Sequence, residues 1–246
     1  MAAQTPQTAA AAWKKLLATA RIHWIYQGDT DADALKKAIE APFSTLPFRQ
    51  AARLQADTTF TVKESRRTDS MDLQQAKLVL GFRIAVTEPD EQVMAARLFT
   101  ALWGGCPSSL LFRHVREEQS LCYYCAATYD RFHGVVLVDS GIQPENGDKV
   151  EEEVLKQLEA IRRGEFSDDE LEAARRALIQ RFTSLDDTPA AREGFYMSQT
   201  VHDRYLTPEQ SANKLLAVTR EDVCRAARLT TLDSVYMLRP NEEVSE

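Results

Sequence analysis

The 246-residue chain has no excess of positive charge. Thirty Lys and Arg stand against 37 Asp and Glu, a net charge of −7, and no basic stripe offsets that balance. Nucleic acid and anionic membrane surfaces are therefore poor partners. No stretch reaches the roughly 18 apolar residues of a membrane-spanning helix. The Ala-rich N-terminus carries Lys14 and Lys15 after its alanines, the reverse of the order in a secretory signal. Four cysteines are too few for a disulfide scaffold and fit a reducing compartment, so the cytoplasm is the expected location.

Catalytic signatures are also scarce. The histidines are His23, His114, His133 and His202, and none stands one helical turn from another. His114-Val115-Arg116-Glu117-Glu118 approaches the inverted zinc motif H-x-x-E-H, but Glu118 occupies the place of the second imidazole. Two imidazoles on one helical face are what clamp the ion, so no metal site is expected from this chain alone. Ser108 and Ser109 lack the G-x-S-x-G context of a nucleophile elbow, and no G-K-[ST] follows Gly104-Gly105. Cys122-Tyr123-Tyr124-Cys125 is a CxxC, but on a predicted strand its two thiols point to opposite faces. A redox pair needs a helix N-terminus to activate a thiol, so both are read as small buried or half-buried side chains.

What is present is ordinary globular patterning, 44% hydrophobic and 27% charged. Helices are predicted over 9–20, from a cap at Asp31 or Asp33 to about Phe43, over 91–102, from Leu111 for a short amphipathic stretch, over 147–163 and from the capping box Ser167–Glu170 to about Leu185. Further helices are predicted over 190–201, from Thr207-Pro208 to about Val218, and from Thr219 to Ala227. Strands are predicted over 21–27, 58–66, 76–86, 121–129, 135–142 and 234–238. This pattern is α+β, a mainly antiparallel sheet of about six strands flanked by helices. Residues 1–20 read as a lead-in helix or linker, 21–240 as one domain and 241–246 as a tail. The Glu- and Arg-rich helices over 147–185 read as solvated faces without chemistry.

The most informative stretch runs from Leu102 to Thr128. The Gly104-Gly105-Cys106-Pro107-Ser108-Ser109 turn separates two helices, its glycines read as residues that permit positive φ. Arg116 and Tyr123 flank the following helix-to-strand turn, where a guanidinium and a phenol can act as paired hydrogen-bond donors. Taken alone, Arg116 is most often a surface residue paired with Glu117, Glu118 or Glu91, and Tyr123 a sheet residue, and spacing by itself does not lift the donor pair above that reading.

The pattern Gly104, Gly105, Ser108, Ser109, Leu111, Phe112, Val115, Arg116, Glu117, Leu121, Tyr123 resembles the C-terminal half of M16 (insulinase, pitrilysin and mitochondrial-processing-peptidase-like) zinc peptidases. IHWIYQGDTDADALKKAIEAPFSTLP and LEAIRRGEFSDDELEAARRALIQRF extend the likeness over about residues 21–240. The stretch from Ser120 to Asn146 is most similar to a bacterial subgroup lacking the zinc motif, akin to the inactive member of operon-encoded pairs. The resemblance implies two halves enclosing a chamber, with zinc in the partner half and no cofactor in this one. That partner half is either part of the same full-length protein or a separate subunit, and the substrate is an extended peptide. It also implies that Arg116 and Tyr123 donate hydrogen bonds to the scissile carbonyl, with Gly104, Gly105, Ser108 and Ser109 in the substrate-binding loop. Cys106 and Leu110 depart from the family's usual Gly and Arg at their places, and they keep a second expectation open: an inactive pseudo-peptidase scaffold that binds peptide or a partner protein. The abrupt start also reads as a C-terminal fragment.

Overall fold

The computed structural model describes residues 5–44 and 62–241. Contacts group the chain into two compact units, one of residues 1–55 and 186–205, the other of 56–185 and 206–246.

The first unit is helical. Helix α1 (Pro6–Thr19) starts at a Thr5–Thr8 capping box, and α2 (Ala32–Phe43) at Asp31, whose carboxylate accepts from the Ala34 N–H. Neither helix buries a single residue. The expected strand over 21–27 does not form: Trp24 is 61% exposed, and the stretch pairs with no other described strand. Its β-branched and aromatic residues fit a pleated surface, but backbone donors and acceptors form a strand only when a neighbour pairs with them. Trp24 instead meets Phe43 edge-on at 6.2 Å.

The second unit holds a five-stranded sheet among the described residues, in the order β1-β5-β2-β4-β3. The strands are β1 (Ser65–Met71), β2 (Ala76–Ile84), β3 (Cys122–Asp130), β4 (Val135–Ile142) and β5 (Thr230–Pro240). Only the β1–β5 pair is parallel. Of the strand expected over 58–66, residues 58–61 lie outside the described residues, 62–64 form no strand, and the last two positions open β1. Five strands therefore stand where about six were expected, and the mainly antiparallel α+β design holds.

β2 is the centre of the sheet. Ala76, Leu78, Leu80, Phe82 and Ile84 alternate along it and are almost wholly buried, whereas Lys77, Val79 and Arg83 on the other face are exposed or half-buried. Period-two alternation of this kind requires one covered face. The cover comes from α3 (Val93–Thr100), α4 (Gly147–Arg163) and α8 (Arg220–Arg228), with α5 (Asp168–Thr183) packed on α7 (Pro208–Leu216). α6 (Pro189–Met197) belongs to the first unit.

Local sequence sets most of these boundaries. Gly164 ends α4 in the left-handed region, at φ 77°, where glycine carries no steric penalty. Ser167 and Glu170 form the reciprocal cap that opens α5, and Thr219 with Asp222 does the same for α8. No described helix is long and apolar enough to cross a membrane.

Candidate functional site

The site is built where α3 runs out toward the sheet edge. Its last turn widens into a π-type turn over Ala101–Gly105, and a second π-type helix spans Phe112–Glu118. Such wide turns recur at functional sites. Here they bracket the Cys106–Leu111 loop and deliver Arg116 to the rim of a groove.

The two glycines act through size, not through positive φ. Among the described residues, only Gly134 and Gly164 are glycines with positive φ, so the conformational role expected for Gly104 and Gly105 is corrected. Gly104 lies against strand β3: a Cβ there would stand 2.8 Å from both the Cβ and the backbone N of Ala127. Gly104→Ala is expected to cost about 1–3 kcal/mol through overpacking, read by urea denaturation. Gly105→Ala, whose Cβ would meet the Thr100 carbonyl at 3.1 Å, should cost less.

A groove of about 570 Å³ opens beside this packing. Gly104, Gly105 and Arg116 line it, together with Arg97, Arg181 and the β3 residues from Tyr124 to Tyr129. Among the described residues β3 is an outer strand that pairs only with β4, the kind of edge that can take an added chain. Arg116 covers the Phe112 ring at 4.7 Å and lies 3.6 Å from Glu117. Ser108 lines a neighbouring hollow with Phe112 and Arg113. Ser109 is buried, its hydroxyl accepting from the Phe112 N–H at 3.4 Å; it caps the local backbone and does not reach the groove.

Tyr123 stands outside the residues that line the groove. It is 53% exposed, and its hydroxyl accepts a short hydrogen bond from the Gln143 side-chain amide. The cause is a register shift. Cys122 stands opposite Ile142 and Tyr124 opposite Gly141, which leaves Tyr123 without a partner in the ladder. This is a β-bulge, a device that re-aims side chains near functional sites.

The same bulge corrects the reading of the CxxC. Cys122 faces Ile142 and Cys125 faces Ser140, two residues apart on β4 and hence on one face. The neighbouring Cys125 thiol, aided by the charge of Arg116, pulls the Cys122 thiol below its usual range, while Cys122 and burial push Cys125 up. All four cysteines are free.

Zinc does not fit the donor set. Among the described residues, no group of three or more His, Cys, Asp or Glu side chains could hold a metal ion. His114 has both ring nitrogens engaged, Nδ1 at 2.7 Å from Glu118 and Nε2 at 2.8 Å from Arg113.

Two groove residues escaped the sequence reading, Arg97 and Arg181. Arg181 lies on a helix whose charged positions read as solvated and Arg97 on one read only for its apolar face, and nothing local tells that Arg181 will donate to the Gly105 carbonyl, at 2.7 Å.

Comparison with known proteins places this geometry. Residues 5–178 match the family model described as the peptidase M16 inactive domain. The chain is 29% identical over 220 residues to a protein of Bacillus subtilis (strain 168) named Probable inactive metalloprotease YmfF, covering 89% of this chain and 51% of that relative. Among solved structures, a conserved protein from Enterococcus faecalis V583 superposes with a TM-score of 0.79 at 26% identity, over 98% of this chain and 57% of that one. A peptidase M16 inactive domain from Pseudomonas fluorescens shares the fold with a TM-score of 0.68 at 15% identity, over 87% of this chain and 52% of the other. The chain thus spans about half the length of the Bacillus relative.

Proposed function

The chain belongs to the M16 peptidase family, as its inactive-domain type, and from that premise we propose that it is the non-zinc half of a metallopeptidase. Its partner is a zinc-bearing M16 half, in the same polypeptide or a separate subunit. The substrate is an extended peptide laid along the outer edge of β3, where backbone pairing gives affinity without demanding a sequence. Arg116 and Tyr123 face the scissile bond and donate hydrogen bonds to the carbonyl oxygen as it gains charge. Gly104 and Gly105 keep the backbone close beside them. Four free thiols support a reducing, cytoplasmic setting.

The observation that carries this reading is the bulge at Tyr123. It sets one tyrosine apart from the ladder, one residue from a thiol that the charge of Arg116 reaches. Arg116 on the groove and Tyr123 at the start of β3 are read as a pair on this support.

Co-expression with a zinc-bearing M16 half tests the proposal. Chelator-sensitive cleavage of an unfolded peptide should require both halves, and Tyr123→Phe should slow it tenfold or more. Chelator-sensitive cleavage by this chain alone would overturn the assignment.

A second reading is a peptide-binding scaffold with no part in chemistry. It is favoured by the Tyr123 hydroxyl being already engaged by Gln143. Under it, Tyr123→Phe leaves the rate unchanged.

A further inference from the structure

The groove beside β3 has one sign of charge. Three arginines line it, Arg97, Arg116 and Arg181, and among the described residues no Asp or Glu does, in a chain whose net charge is −7.

Arg97 is the unusual member. It is largely enclosed by protein, and burial, with repulsion from Arg131 and Arg181, pulls its guanidinium down to about 10. It stays charged at neutral pH. Among the described residues it makes no hydrogen bond or ion pair, and it lies over the Phe182 ring at 5.6 Å. The carboxylate it senses, Glu88, is committed to Arg131, whose Nε lies 2.5 Å from the Glu88 oxygen. A desolvated guanidinium with five donors and no acceptor is costly to keep. Arg181 stands in the same groove, held at its rim by the Gly105 carbonyl.

We infer that Arg97 and Arg181 form a seat for a carboxylate of the bound peptide. Guanidinium forks match a carboxylate in shape as well as charge. The seat is distinct from the pair proposed to contact the scissile carbonyl, and it gives the edge-strand groove a preference for acidic peptides. The carboxylate comes either from an Asp or Glu side chain or from the peptide C-terminus. This inference rests on the reading of the chain as a peptide-binding half.

Fluorescence anisotropy with the 246-residue chain and three labelled, extended ten-residue peptides tests both levels. One peptide carries a central Glu and an amidated C-terminus. One has Gln in its place and a free C-terminus. One has Gln and an amidated C-terminus. At least one of the first two should bind about tenfold or more tighter than the third, and the one that does names the source. Arg97→Met should erase the difference without lowering the melting temperature, because it removes an uncompensated buried charge. Arg97→Lys should keep part of the difference. If Arg97→Met does not fold, Arg181→Gln carries the same test. Equal binding of all three peptides, or a preference that survives both Arg97→Met and Arg181→Gln, overturns the seat while peptide binding stands. Binding of none of them overturns the peptide-binding reading and the seat with it.

Discussion

Arg116→Ala is expected to lower peptide cleavage by the paired halves about a hundredfold, with little change in the stability of this chain. The magnitude follows from removing one oriented donor to a developing oxyanion. The small effect on stability follows from its surroundings. Its contacts are a ring face at 4.7 Å and an exposed ion pair at 3.6 Å with Glu117, and surface pairs of that kind contribute about 1 kcal/mol or less. Single-turnover cleavage beside a thermal melt separates the two. An unchanged rate would leave the scaffold reading standing. Arg116→Lys discriminates further, since an ammonium keeps the charge but loses the planar fork, and it should recover only part of the rate.

Trp103→Ala is expected to have the largest effect on the fold, a loss of about 3–5 kcal/mol in urea denaturation. Trp103 is wholly buried between the central strand and α3. Its ring meets Phe82 edge-on at 5.0 Å and stacks on Phe99 at 5.4 Å, so truncation removes three-way aromatic packing that neighbouring side chains cannot refill. Among the described residues its buried indole N–H has no hydrogen-bond partner. Trp103→Phe should therefore lose far less than alanine, because it sheds an unsatisfied donor along with the lost volume. A loss below about 1 kcal/mol for Trp103→Ala would mean the core closes over the gap. Because Trp103 adjoins Gly104, the alanine variant should also loosen the groove wall formed with Ala127.

Where local chemistry fixes a boundary, the sequence was legible. β4 was expected over 135–142 and α4 over 147–163, and both form there. The Ser167–Glu170 cap and the Gly164 stop are written in single residues that have one good conformation at those places. Where structure depends on distant partners, it was not legible. Arg21–Gln27 has strand composition but, among the described residues, no strand to pair with. The bulge at Tyr123 leaves no mark in residue types, because it is defined by what β4 places opposite. Gly104 and Gly105 were recognised as special for the wrong reason: both positions need a small residue, Gly104 because Ala127 on β3, more than 20 residues away, stands against it, and Gly105 because the Thr100 carbonyl does. Arg97 lies on the predicted 91–102 helix but off the face that periodicity picks out. Helical spacing tells which residues enter the core, not which charges stand together at a groove wall.

Tyr123 is supernumerary to the sheet. With that residue left out, Cys122, Tyr124 and Cys125 already stand opposite Ile142, Gly141 and Ser140 as an uninterrupted strand. Deleting one residue from a strand ordinarily turns its faces over and ruins the core. At this position deletion would instead regularise the ladder. Scaffold and phenol are thus separable in a way they would not be at Cys122 or Cys125. A working half could fall silent in one genetic step and keep its architecture intact, and a silent one could recover by the reverse insertion.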